Sequence, residues 1–60
     1  MLKTKWQRLV GGYFEETNNG VCLYCEAVDD YGPRFSYHPG TTIAVTPSWE
    51  DFRLFFRRVR

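Results

Sequence analysis

The C-terminal segment, residues 46–60, most constrains the fold because its apolar side chains recur at helical spacing. At about 100° per residue, five of them fall within one arc of about 120°: Trp49, Phe52, Phe55, Phe56 and Val59. The opposite side of the helical projection carries Glu50, Arg53, Arg57 and Arg60. The pattern predicts an amphipathic helix over residues 47–58 whose aromatic side covers a core.

Two capping signals compete for the start of this helix. Thr46 followed by Pro47 suits an N-cap with proline at the first helical position, whereas Ser48 with Asp51 three residues later suits a capping box. Leu54 departs from the amphipathic pattern because it falls among the polar residues. We therefore expect Leu54 to be exposed or to belong to a second contact surface.

Ahead of the helix, alternation and turn residues predict strands over residues 3–10, 13–17, 21–28, 34–37 and 41–45. Asn19-Gly20 is the strongest hairpin signal because both residues accept the positive φ angles of a type I′ turn. Gly11-Gly12 permits either a hairpin or a bulge. We expect an α+β fold, a small antiparallel meander of four or five strands closed by one C-terminal amphipathic helix, in a single compact domain over residues 1–60.

The segment 21–28 is apolar almost throughout, which predicts the central strand of the sheet. Strand alternation places Val21, Leu23, Cys25 and Ala27 on one face and Cys22, Tyr24, Glu26 and Val28 on the other. The first set is small and wholly apolar. We therefore expect it to lie under the C-terminal helix.

The length of 60 residues is close to the lower size limit for a single hydrophobic core. Aromatic residues make up 18% of the chain, and a domain of this size needs most of them inside. Self-association is one way for such a chain to gain stability. We therefore expect a homodimer.

The net charge of +1 conceals an uneven distribution. Residues 53–60 contain four arginines and no acid, whereas residues 11–30 contain five acids and no base. The sequence shows no signal-peptide pattern and no apolar run long enough to span a membrane, and two cysteines do not make a secreted disulfide framework. We therefore expect a cytoplasmic protein that has no membrane partner.

The chain contains no catalytic motif, so we expect a protein that is not an enzyme and uses no cofactor. Cys22 and Cys25 have the spacing of half a zinc site. A regular strand, however, directs their sulfurs to opposite faces, and the sequence has no second pair of cysteines. A small zinc-binding protein, with Cys22, Cys25 and His38 as ligands, is a second alternative function.

The composition favours a small binding or regulatory protein that docks on a protein partner, such as the accessory and inhibitor proteins of phages. Arginine and aromatic residues are enriched at the centres of protein interfaces. The residues expected to contact the partner are Trp6, Arg53, Leu54, Arg57, Arg58 and Arg60.

An RNA- or DNA-binding module is the first alternative function. Aromatic side chains on an exposed sheet face can stack on bases while arginines hold phosphates. The residues that would form this platform are Tyr24, Arg34, Phe35 and Tyr37, with further charge from the C-terminal arginines. Against it, the isoelectric point of about 7.8 is below the range typical of nucleic-acid-binding domains.

Overall fold

The computed structural model describes residues 4–60. In this part of the chain the helices are α1 (Thr4–Gln7) and α2 (Trp49–Phe55), and the strands are β1 (Tyr13–Glu16), β2 (Val21–Val28), β3 (Pro33–Ser36) and β4 (Phe56–Arg58). The predicted α+β class is confirmed, because a four-stranded antiparallel sheet is combined with a C-terminal helix.

The strands lie in the order β3-β2-β1-β4, and each neighbouring pair is antiparallel. Short connections join β1 to β2 and β2 to β3, as in a meander. The chain then crosses from β3 at one edge of the sheet to β4 at the other, and α2 lies in this crossing. We call the face under α2 the core face. The opposite face, which we call the open face, carries Tyr13, Glu15, Cys22, Tyr24 and Arg57.

The core is a cluster of aromatic rings centred on Phe35. Its side chain is fully buried, and its ring centroid lies 5.1 Å from that of Phe56, 5.6 Å from Phe14 and 6.1 Å from Phe52. Phe35 and Phe56 belong to the two edge strands, whose backbones would be about 14 Å apart in a flat four-stranded sheet. The sheet therefore curls around the cluster, so the core face is concave and the open face is convex.

The strand predicted over residues 3–10 is wrong. Residues 4–7 form α1 and residues 8–11 form turns, while residues 1–3 lie outside the described part of the chain. Trp6 and Leu9 are three residues apart, which is a helical spacing. Both contribute to the core side, Trp6 by stacking on Trp49 and Leu9 by packing against the buried cluster. The alternation in this segment was therefore not a sign of strand.

The strand predicted over residues 41–45 is also wrong. Only Val45 joins the sheet, through an isolated antiparallel bridge to Phe35. The Phe35 N–H donates to the Val45 carbonyl at 2.8 Å, and the Ala44 N–H donates to the Phe35 carbonyl at 2.8 Å. The β-branched residues indicated extended backbone, but β3 is only four residues long and offers a partner at this one position.

The C-terminal helix is shorter than the predicted 47–58. The Ser48 hydroxyl accepts a hydrogen bond from the Asp51 N–H at 3.2 Å, so Ser48 is the N-cap and Thr46-Pro47 precedes the helix. α2 ends at Phe55, whose carbonyl accepts bonds from the Thr17 N–H at 2.8 Å and the Thr17 hydroxyl at 3.0 Å. Residues 56–58 then pair with β1 as β4. Pairing with β1 therefore outweighs the helical pattern.

A β-bulge at Glu26 changes the face assignment of the central strand. Cys25 pairs with Phe35 and Ala27 pairs with Arg34, so Glu26 is the extra residue. Beyond it the alternation reverses, and Val28 packs against the core instead of lying on the face of Tyr24. Leu23 and Cys25 are buried under α2 as predicted, but the prediction for Ala27 and Val28 is wrong.

The β2–β3 turn attaches α2 to the sheet. The Asp29 carboxylate accepts bonds from the Tyr31 N–H at 2.9 Å and the Gly32 N–H at 3.0 Å, and it pairs with Arg34 at 2.7 Å. The bond from the Gly32 N–H, followed by that from Arg34, holds the pKa of Asp29 below its usual range. Trp49 binds the same turn, because its indole N–H donates to the Asp29 carbonyl at 3.0 Å.

We expect Gly32→Ala to lower the free energy of unfolding by about 3 kcal/mol, because a Cβ there would overlap the Pro47 carbonyl oxygen and approach its carbon to 3.0 Å. Gly40→Ala is the matched control, since a Cβ at Gly40 has no atom within 4 Å. Its only cost is the backbone strain of a φ of 79°. The control should cost about 1 kcal/mol. Equal midpoints for the two variants in urea denaturation would contradict this close approach.

Candidate protein-binding surface

The C-terminal segment from Arg53 to Arg60, which we call the arginine edge, combines exposed apolar side chains with positive charge. Leu54 is 63% exposed, so its departure from the helical pattern places it on the surface. Phe55 and Val59, which the helical projection assigned to the core, are 38% and 42% exposed. Arg53 is exposed near the end of α2. The structure therefore places apolar and basic side chains next to each other along this segment.

Two of the four arginines in this edge have specific intramolecular contacts. The Arg57 guanidinium pairs with the Glu15 carboxylate at 2.8 Å across the open face. The Arg58 guanidinium lies 5.5 Å from the centre of the Phe14 ring and donates to the Arg60 carbonyl at 2.9 Å. Both side chains stay exposed. These contacts fix the direction of each arginine but neutralise only the charge of Arg57.

β4 has one paired and one unpaired side. Glu15 lies opposite Arg57, and bonds on either side of this pair join Thr17 to Phe55 and Val59 to Tyr13. Backbone groups of successive strand residues point to opposite sides. The N–H and carbonyl of Arg58 and the carbonyl of Phe56 therefore point away from β1. No strand among residues 4–60 pairs with this outer side.

Trp6 was predicted to contact a partner, but its ring stacks on that of Trp49 with centroids 4.4 Å apart and planes 20° apart. Trp6 is half-buried in this stack. The stack joins the N-terminal segment to the start of α2. The stack gives Trp6 a structural role within the domain.

We expect Trp6→Ala to lower the free energy of unfolding by about 2 kcal/mol, since it removes a half-buried ring and an aromatic stack. The exciton couplet that two stacked indoles give in far-ultraviolet circular dichroism should disappear. Leu54→Ala, at an exposed position, is the control and should change stability by less than about 0.5 kcal/mol. An unchanged spectrum and melting curve for Trp6→Ala would show that the stack does not form in solution.

The four residues of the predicted nucleic-acid platform do not share one surface. Phe35 is fully buried in the core, so its assignment to a platform is wrong. Tyr24 lies on the open face beside Tyr13, with ring centroids 5.2 Å apart. Tyr37 is 56% exposed in the loop after β3, and Arg34 is paired with Asp29. Tyr13 is the aromatic neighbour that sequence reasoning missed, because its cross-strand partner depends on the register of the first hairpin.

The predicted metal ligands are also separated. Cys22 is exposed on the open face and Cys25 is buried on the core face, as strand alternation requires. Among the described residues, no group of three or more His, Cys, Asp or Glu side chains is placed to hold a metal ion, and His38 is exposed in a loop. Burial raises the pKa of the Cys25 thiol from 9.0 to about 11. Cys25 is therefore an uncharged thiol at neutral pH.

The raised pKa of Cys25 predicts a loss of stability in alkali. An acid whose pKa is higher in the folded state stabilises the fold below its unfolded pKa, and this contribution is lost as the pH rises from 9.0 through about 11. The unfolding free energy of the native protein should therefore fall more steeply over this interval than that of Cys25→Ala. Cys22→Ala, at the exposed cysteine, should behave like the native protein. Parallel curves for all three proteins would contradict the assignment.

A shallow groove of about 320 Å³ on the open face is lined by Tyr13, Cys22, Val59 and Arg60. Comparisons with protein-family models, with curated proteins and with solved structures find no match to the chain. Within residues 4–60, no helix is both long and apolar enough to cross a membrane. The functional argument therefore depends on the surface of this chain alone.

Proposed function

We propose that this protein is a small, non-catalytic binding and regulatory protein that docks on a protein partner through the arginine edge. The observation that carries the proposal is the placement of Leu54, which is 63% exposed, between Arg53 and the half-exposed Phe55. In so small a domain, aromatic and aliphatic side chains are needed in the core. A segment that leaves several of them in water beside arginines has the composition of a protein interface.

The charge of the arginine edge favours a partner with an acidic surface. Residues 53–60 carry four arginines, and the acids nearest in register, Glu15 and Glu16, lie on β1 at the inner side of β4. Glu15 neutralises Arg57, which leaves three positive charges along the segment. Complementary charge on the partner would raise the association rate and fix its orientation.

Nucleic acid is the less favoured target. The tyrosine pair, Tyr13 and Tyr24, is on the open face, but Glu15 and the Arg57 that it neutralises lie on the same face. Phe35, which was to stack on a base, is buried. A nucleic-acid platform needs stacking rings beside several unpaired positive charges, whereas the groove beside Tyr13 is lined by one arginine, Arg60.

The homodimer and the cytoplasmic location stay predictions from the sequence. Pairing β4 with β4 of a second copy would bring Arg57 and Arg58 of one chain against the same two residues of the other. A second copy is therefore better accommodated on the open face, where Glu15 and Arg57 lie side by side and are self-complementary under a two-fold axis.

The test is capture of partners from a lysate of the source cells on the immobilised full chain, with and without nuclease, followed by mass spectrometry. We expect one nuclease-resistant protein at near-equal stoichiometry. Leu54→Glu and Arg53→Glu should each lower its recovery by about tenfold, as for residues central to an interface. The matched control is Tyr31→Glu, which places the same acid at a side chain that is 65% exposed outside the arginine edge.

Two outcomes would contradict the proposal. Loss of all captured material on nuclease treatment would assign the surface to RNA or DNA. An equal loss of the partner with Tyr31→Glu and with Leu54→Glu would show that the arginine edge is not the contact surface.

A further inference from the structure

We infer that the outer side of β4 binds an extended, acidic segment of another protein as a fifth strand of the sheet. This inference deepens the proposed function and rests on it, because it names how the arginine edge would hold its partner. It starts from the backbone: the N–H and carbonyl of Arg58 and the carbonyl of Phe56 point away from β1. An exposed strand edge of this kind is a template for strand addition.

β4 is the more open of the two edges of the sheet. At the other edge, both backbone groups of Phe35 in β3 are already bonded to residues 44 and 45. At β4, the Phe56 N–H caps α2 by donating to the Phe52 carbonyl, and its carbonyl stays directed outward. Of the two edges, only β4 therefore offers an added strand three unpaired backbone groups in a row, namely the Phe56 carbonyl, the Arg58 N–H and the Arg58 carbonyl.

The side chains of β4 select the chemistry of the added strand. Arg57 lies on the open face, whereas Phe56 and Arg58 lie on the core face. In an antiparallel pairing, a partner residue opposite Arg58 exchanges two hydrogen bonds with it, the next residue lies beside Arg57, and the third lies beside Phe56. The matching order, from the N-terminus of the partner, is acidic, acidic, apolar.

The same arginines disfavour the most available wrong occupant, a second copy of this chain. Antiparallel self-pairing of β4 would place Arg58 opposite Arg58 or, in the neighbouring register, Arg57 opposite Arg57, and like charges directly opposite each other destabilise a strand pair. Arginines on this edge therefore act against self-association while they attract an acidic segment.

The test uses the full chain, labelled with nitrogen-15, and the blocked hexapeptide Thr-Val-Glu-Glu-Val-Thr as the probe. Titration should shift the amide resonances of β4, and the Arg58 amide should become protected from hydrogen exchange. The peptide with Lys-Lys in place of Glu-Glu should bind at least about tenfold more weakly, since like charges then face each other.

Two isomeric probes separate strand addition from charge attraction alone. N-methylation of the first Glu and the second Val removes the two N–H groups that would face β4, and it should lower affinity by about tenfold or more. N-methylation of the first Val and the second Glu instead removes two N–H groups that face solvent and should change affinity by less than about twofold. Charge and side chains are the same in both.

A pair of protein variants tests the hydrogen bond that the Arg58 N–H would donate to the added strand. Arg58→Pro removes the outward N–H, and proline is tolerated on an edge strand whose N–H faces solvent. Arg58→Ala removes the same side chain but keeps the N–H. We expect Arg58→Pro to bind the acidic probe at least about fivefold more weakly than Arg58→Ala, with melting temperatures reported for both to establish that each folds.

The outcomes distinguish this inference from the proposed function. Equal binding of the two methylated isomers, or failure of the unmodified acidic probe to bind at all, would overturn strand addition. Either result is compatible with a captured partner that is sensitive to Leu54→Glu, in which case docking holds and its geometry is different. Loss of that partner on nuclease treatment would overturn docking itself.

Discussion

The stacking of Phe56 on Phe35 is the contact on which the rest of the structure depends. The two rings are nearly parallel, 8° apart, and they connect the two edge strands above the concave face. Phe35 also bonds through its backbone to residues 44 and 45, so the crossing to α2 is attached to the sheet at the same residue. One buried residue thus relates the curl of the sheet, the attachment of the crossing and the position of β4. This contact adds a buried aromatic stack to the pairing with β1 that draws residues 56–58 out of the helix.

The domain compensates for its small core with a continuous series of contacts between aromatic rings. Trp6 stacks on Trp49, Trp49 contacts Phe52 edge to face, and Phe52 contacts the rings around Phe35. Each contact adds specific geometry to the area that it buries, on the order of 0.5–1.5 kcal/mol per pair. The polar anchors lie at the periphery of this chain of rings, where Asp29 organises one turn and Glu26 accepts a 2.6 Å bond from the Gly40 N–H in the loop after β3.

The sequence predicted the fold class, the position of the first hairpin, the central strand and the burial of Leu23 and Cys25. The predicted type I′ turn at Asn19-Gly20 is wrong, because Gly20 has a positive φ of 74° and Asn19 does not, and the loop spans residues 17–20 between the paired Glu16 and Val21. It did not predict the end of α2, because Phe52 and Phe56 are four residues apart and both reach the core, one from a helix and the other from a strand. Helical spacing cannot distinguish these cases. The bulge at Glu26 has no local signal, since it depends on the register between β2 and β3.

Some features of the candidate binding surface could likewise be predicted from the sequence, and others could not. The sequence itself contains the arginines, and the helical projection predicted the exposure of Leu54. The unpaired backbone of β4 could not be predicted, because it exists only once residues 56–58 are placed in a strand.

α2 passes directly into β4 with no residue between them. The length of the helix therefore decides which side chains of β4 face the core. Adding or removing one residue in α2 would exchange the faces of Arg57 and Arg58, and it would move Phe56 away from Phe35. A substitution at an exposed position of this helix leaves the core in place, whereas a change in the length of the helix would alter both the core and the edge at once.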